Sequence, residues 1–147
     1  MSIPHPPQRV KLTMSILCSR EDDFVVAFRE AEGAYGPADF VSEILPFGFT
    51  DYYQREMGGG LWRRVVGFEP LVSPERMVPI KLWANGLENR HLDEQGGRRI
   101  NLDPGYVAAS KFVLVTGKDY SHRLYLGEGI YGEVTLIFQK GGFSPLP

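Results

Sequence analysis

The chain has 147 residues, 43% of them hydrophobic and 23% charged, with a formal net charge of −2. That length suits one domain with a real core, and no run approaches the ~18 consecutive apolar residues of a membrane span. Residues 1–73 carry 7 basic and 10 acidic groups and residues 74–147 carry 9 and 8, so neither half has the basic footprint of broad nucleic-acid binding.

The opening MSIPHPPQ holds three prolines and no periodicity. It reads as a disordered arm over residues 1–8, ahead of a single α+β domain over 9–147. It lacks the charged and apolar regions of a secretory signal. Val10, Leu12, Met14 and Ile16 alternate with polar residues, as in a half-buried strand. Cys18 closes that strand. As the single cysteine it permits no internal disulfide, which points to a reducing cytoplasm, and it reads as a buried small hydrophobe. Ser19 offers an N-cap to a helix whose Phe24, Ala27, Phe28, Ala31 and Tyr35 recur at helical spacing. Gly36-Pro37 stops it.

Phe40 to Leu45 and Trp62 to Glu69 read as the second and third strands. Between them lies PFGFTDYYQREMGGG, longer than the usual hairpin loop of ~2–5 residues. Its aromatics Phe47, Phe49, Tyr52 and Tyr53 suit a short helix laid across the core, or alternatively a pocket wall. Ser73-Pro74 opens a second long helix with a buried stripe of Met77, Ile80, Ala84 and Leu87. Pro79 requires that helix to kink or to start later. Arg98 to Leu102 reads as a fourth strand, followed by a type II turn at Asp103-Pro104-Gly105-Tyr106.

The order strand, helix, strand, strand, helix, strand predicts a ferredoxin-like βαββαβ core, with two helices on an antiparallel sheet. Phe112 to Val115 suits a strand buried on both faces, and a hairpin at about 122–139 completes the extension. Segregating apolar from polar faces in that hairpin requires an odd loop length, with Leu124 opposite Val134 and Tyr125 opposite Glu133. Arg123, Tyr125, Glu133 and Thr135 then share one surface.

Residues 127–134, GEGIYGEV, match G-x-G-x-x-G. A dinucleotide site needs a helix after these glycines, and a strand follows instead. The simpler reading is that Gly127, Gly129 and Gly132 serve a tight, bulged hairpin. The densest chemistry is Lys118 to Arg123. Lys118 and Arg123 suit an anion, with Lys111, Asn101, Arg99 and Tyr125 as further ligand-binding candidates. His122 is a candidate general base oriented by Asp119, with Glu133 and Asp103 as further catalytic carboxylates. The three histidines lack zinc-ligand spacing, and neither a metal nor a cofactor is predicted.

The segments PFGFTDYYQREMG, KLWANGLE, RRINLDPGYVAASKFVLVTGKDYSHRLYLGEGIYGEVTL and FSPLP resemble the prokaryotic proteins grouped as domain of unknown function 4416. The resemblance runs from about Lys11 to Pro147. It implies a bacterial or archaeal, cytoplasmic, single-domain protein, and members whose chains continue past FSPLP into an aromatic, proline-containing tail. It carries no activity. The residues themselves point to a small enzyme or binding protein for an anionic small molecule, a phosphorylated one among the options, with its polar site in residues 98–135. The alternative is a non-catalytic homodimeric interaction module that pairs through an open sheet edge.

Overall fold

The sheet is built outward from β1 (Val10–Cys18), whose alternating residues Leu12, Met14 and Ile16 are fully buried on one face. These features come from a computed structural model, which describes residues 1–47 and 51–147, with the side chains of Asp51, Tyr52 and Gln54 outside that description. The expected pocket-wall residue Phe49 and the side chain of Tyr52 therefore lie outside the described part. The remaining strands are β2 (Ala38–Val41), β3 (Leu45–Pro46), β4 (Trp62–Val72), β5 (Asn101–Val107), β6 (Lys111–Thr116), β7 (Leu124–Gly127), β8 (Ile130–Gln139) and β9 (Gly142–Pro145). The helices are α1 (Glu21–Tyr35), α2 (Asp51–Met57) and α3 (Met77–Arg90). The protein is thus α+β, with two long helices and a short one, α2, in the segment between the expected second and third strands, where a short helix was one of the two expected readings.

All strand pairs are antiparallel, in the order β2-β4-β1-β5-β6-β8-β7, with β3 added to β4 and β9 to β8. Helix α1 packs on β1 and β4, and α3 on β5 and β6. The core lies between them: Phe24, Ala27 and Ala31 of α1 and Met77, Ile80, Ala84 and Leu87 of α3 meet Leu12, Met14, Ile16, Val66, Phe68 and Leu102. Each large side chain buried there stabilises the fold by about 1.5–3 kcal/mol. No described helix is long and apolar enough to cross a membrane.

Several local expectations are corrected. The N-cap of α1 is Arg20 rather than Ser19, and its carbonyl accepts from the N–H groups of Asp23 and Phe24. Acidic Glu21, Asp22 and Asp23 in the first turn suit the helix dipole without a side-chain cap. A 3-10 turn at Pro74–Arg76 precedes α3, so the helix starts later and Pro79 falls in its first turn, where a missing N–H costs no intrahelical bond. β6 is fully buried only at Val113 and Val115; Phe112 and Leu114 are half-buried because no long helix covers their face.

The final hairpin has an even, two-residue loop, Glu128-Gly129, with φ of 51° and 81° at its two positions. Positive φ at both residues is the turn that matches the twist of paired strands. Leu124 therefore lies opposite Gly132 and Tyr125 opposite Tyr131, with a bulge before Gly127. The expected odd loop assumed that one face of the hairpin is buried. Leu124, Tyr125 and Leu126 are 75%, 61% and 47% exposed, so no core selects the register and the turn chemistry does.

Candidate functional site

The decisive local feature is Pro104. Asp103 to Tyr106 do not form a turn; they continue β5 straight through the sheet, with Met14 of β1 opposite Pro104. The ladder between β5 and β6 spans only Gly105 to Val107. Proline brings no N–H to a ladder, and pairing with β6 ends at the residue after it. Gly105 is required for a different reason than a turn. A Cβ there would lie 2.7 Å from the carbonyl oxygen of Val113 and 2.9 Å from the ring of Phe112.

Where β6 departs, Asn101 to Asp103 would be left with unpaired backbone on that side. Helix α3 supplies partners instead. Glu88 Oε2 accepts the N–H of Leu102 at 2.7 Å, and Lys81 Nζ donates to the carbonyl of Leu102 at 3.1 Å. Both side chains are buried. Burial pushes the Glu88 carboxyl above the usual carboxylate range, against the opposing pull of the Leu102 amide and of Lys81 and Arg98.

The gap between the strands is a cleft of about 550 Å³. Its floor is α3, through Lys81, Asn85 and Glu88. Asn101 and Asp103 form one wall; Leu114, Thr116, Lys118, Tyr120 and Arg123 form the other. Its end is closed by Arg98, which grips Glu56 of α2 with Nε–Oε2 at 2.6 Å and Nη2–Oε1 at 3.1 Å. The bond to Arg98 holds the Glu56 carboxyl below its ordinary range and raises the guanidinium. The third guanidinium nitrogen of Arg98, Nη1, donates to Asn101 Oδ1 at 2.8 Å, and Asn101 Nδ2 donates to Asp103 Oδ2 at 3.0 Å. Lys81 Nζ lies 4.0 Å from Asp103 Oδ1. Asp103 is thereby oriented by both neighbours and still lines the cleft.

At the rim, Arg123 Nε donates to Glu133 Oε1 at 2.9 Å, and His122 Nε2 approaches the same oxygen at 2.8 Å. Burial pushes the Glu133 carboxyl up, but the bonds from Arg123 and His122 outweigh it and the net shift is down. Arg123 also donates to the Lys118 carbonyl at 3.1 Å and lies over the Tyr120 ring at 4.6 Å. These contacts tie the turn after β6 to β8.

Of the residues singled out from the sequence, Asn101, Asp103, Lys118 and Arg123 meet in this cleft, and His122 and Glu133 join through Arg123. The carboxylate on His122 is Glu133 rather than Asp119, which is exposed and is not among the cleft-lining residues. Lys111 lines a separate hollow at the other end of β6. Arg99 is exposed before β5, its N–H bonded to the His91 carbonyl. Tyr125 lies on the same face of the hairpin as Arg123 and Glu133, one pair further along the register, but does not line the cleft. It packs on Tyr131 at 5.1 Å, and its hydroxyl accepts from the Gly129 N–H. Cys18 is buried, and burial pushes its thiol up to about 11.

Lys81, Asn85, Glu88 and Glu56 were missed. The first three recur at i, i+4 and i+7 on α3, one residue out of phase with its apolar stripe Ile80, Ala84 and Leu87. That polar stripe beside a buried one was the available signal. Glu56 had none, because its partner Arg98 is 42 residues away.

Residues 8–147 match the family described as Domain of unknown function (DUF4416). The chain belongs to that family. No curated protein and no solved structure matches it.

Proposed function

We propose that the cleft between β5 and β6 is a binding or active site for a small anionic molecule, with a phosphoryl or carboxylate group as the recognised part. One observation carries this reading: among the described residues, Lys81, Arg98, Lys118 and Arg123 line a single cleft. Two of the three lining carboxylates, Glu56 and Glu88, are already engaged with Arg98 and the Leu102 amide. An arriving anion therefore meets cations held in fixed geometry, which supports binding at low ordering cost. Asp103, at the cleft wall, and the His122–Glu133 pair, at the rim, are the groups placed to move a proton. The volume suits a metabolite-sized ligand.

A thermal-shift screen with nucleotides and phosphorylated metabolites tests this. A ligand at a hundredfold excess over its Kd stabilises the native state by about 2.7 kcal/mol. Hits should vanish in Arg123→Ala and Lys118→Ala. An absence of any anion-dependent shift would refute the proposal.

At the level of fold, we infer a ferredoxin-like core in the first 107 residues. The strand order β2-β4-β1-β5, with α1 and α3 as the connecting helices, supports it. On this reading β6 to β9 are an extension whose junction with the core forms the cleft.

A second reading, a homodimeric interaction module, is favoured by one feature. The outermost strand β7 presents exposed Leu124, Tyr125 and Leu126 along an edge, and such edges invite pairing. Light scattering across concentration tests it: a dimer lost in Leu126→Lys supports it, and a monomer at all concentrations removes it.

A further inference from the structure

The cleft continues onto the face of the sheet that carries no long helix. Asp103 and Leu114 line both the cleft and an adjoining groove of about 320 Å³. The groove is bordered by Val65 of β4, Phe112 of β6 and Leu45 of β3. These apolar side chains are half-buried or exposed, since no long helix covers this face. Gly105 helps to shape the floor. With no Cβ, it lets the Phe112 ring lie across the β5 backbone.

The two spaces differ in chemistry. The cleft holds Lys118, Arg123, Arg98 and Lys81; the groove holds aliphatic and aromatic surface with Thr13, Ser15 and Thr135 at intervals and one cation, Arg63, whose guanidinium lies over the Phe47 ring at 5.2 Å. The same face of β6 carries Thr116 in the cleft, Leu114 at the waist and Phe112 in the groove. Those four residue steps span about 13 Å of extended strand.

We propose that the site is bipartite and that its ligand is amphipathic: an anionic head in the cleft and an apolar chain or ring in the groove, passing over Leu114 beside Asp103. This rests on the anion-binding reading of the cleft and adds the class of molecule. Charge complementarity sets the orientation, because four cations line the cleft against one, Arg63, in the groove, where the uncovered apolar surface lies. A head-only anion would leave that surface in water, whereas an apolar tail gains by covering it.

The test is a homologous series on the whole chain: inorganic phosphate, butyl phosphate and octyl phosphate, measured by calorimetric titration below micelle formation. Affinity is expected to rise at least about tenfold from inorganic to octyl phosphate, as burial of several methylenes requires. Val65→Asp is expected to bring the octyl-to-inorganic ratio down toward one. Val65→Thr, nearly isosteric, guards against a folding defect and should lower the ratio partially, with an unchanged melting profile. If inorganic phosphate binds and the series is flat, the bipartite site is wrong and the cleft reading stands. If octyl phosphate binds better but the ratio ignores both Val65 substitutions, the tail lies elsewhere and the inference fails. If nothing in the series binds, both readings fall.

Discussion

Glu88 accepts the amide hydrogen of Leu102 at 2.7 Å, from a helix that is not hydrogen-bonded to that strand in any regular way. Together with Lys81 on the Leu102 carbonyl, it does the work of the missing neighbour strand. Buried backbone groups must find partners. Here two long side chains provide them, and the space that a strand would occupy stays open as the cleft.

Removing that partner should be expensive. Glu88→Ala leaves a buried N–H unpaired, for an expected loss of about 1–3 kcal/mol. Glu88→Gln keeps an acceptor oxygen and should lose clearly less. Urea denaturation of both variants checks this; equal losses would argue against the amide bond as the main role of Glu88.

The carboxylates give the protein a pH signature with two signs. Glu56 and Glu133 titrate below their ordinary range, so their stabilisation is present above the ordinary carboxylate value of 4.5 and is lost as pH falls through their folded values. Glu88 is raised by burial. Its cost is present above its folded value and is relieved as pH falls through it, because the folded state takes up the proton more readily. Stability measured from pH 7 to pH 3 should therefore fall on the acid side in the native chain. Glu56→Gln should flatten that fall, and an unchanged acid limb would contradict the assignment.

The Arg98–Glu56 pair closes one end of the cleft with two parallel bonds. Lysine cannot reproduce that fork. Arg98→Lys should lower stability and loosen α2 against β5. A double-mutant cycle with Glu56→Ala should give a coupling of about 1 kcal/mol, modest because both side chains are partly exposed and salt-screened. Amide exchange in α2 should rise in the same variants.

Gly105 is the position where one added methyl should do most local harm. Its Cβ would strike the Val113 carbonyl and the Phe112 ring, and backbone cannot yield as a flexible side chain does. Gly105→Ala should cost about 1–3 kcal/mol, as overpacking does. Gly117→Ala, where a Cβ meets open space, serves as the comparison. Thermal melting of the pair measures the difference.

Much of the fold was legible because periodicity reports burial. The alternation at Val10 to Ile16 and the stripe Met77, Ile80, Ala84, Leu87 placed β1 and the buried side of α3. The meaning of Pro104-Gly105 was not legible. The same dipeptide suits a type II turn or a strand that loses one neighbour, and only the presence of β1 beside it and of Phe112 above it decides between them. The hairpin register failed for a related reason: a rule built on a buried face was applied where Leu124 and Tyr125 are exposed.

The sequence by itself determined which residue types were available, where β1, β4, β6 and the two long helices lie, and that Lys118 to Glu133 is rich in chemistry. Local pattern suffices for that, since it depends on neighbours a few positions apart. Tertiary structure decided that Asn101, Asp103, Lys118 and Arg123 face one space, that Lys111, Arg99, Asp119 and Tyr125 do not line it, and that α3 supplies its floor. Those outcomes depend on a strand ladder that stops at a proline and on bonds such as Arg98–Glu56 that join positions 42 apart. Contacts of that range leave no periodic trace in the chain; they exist only once the sheet has formed.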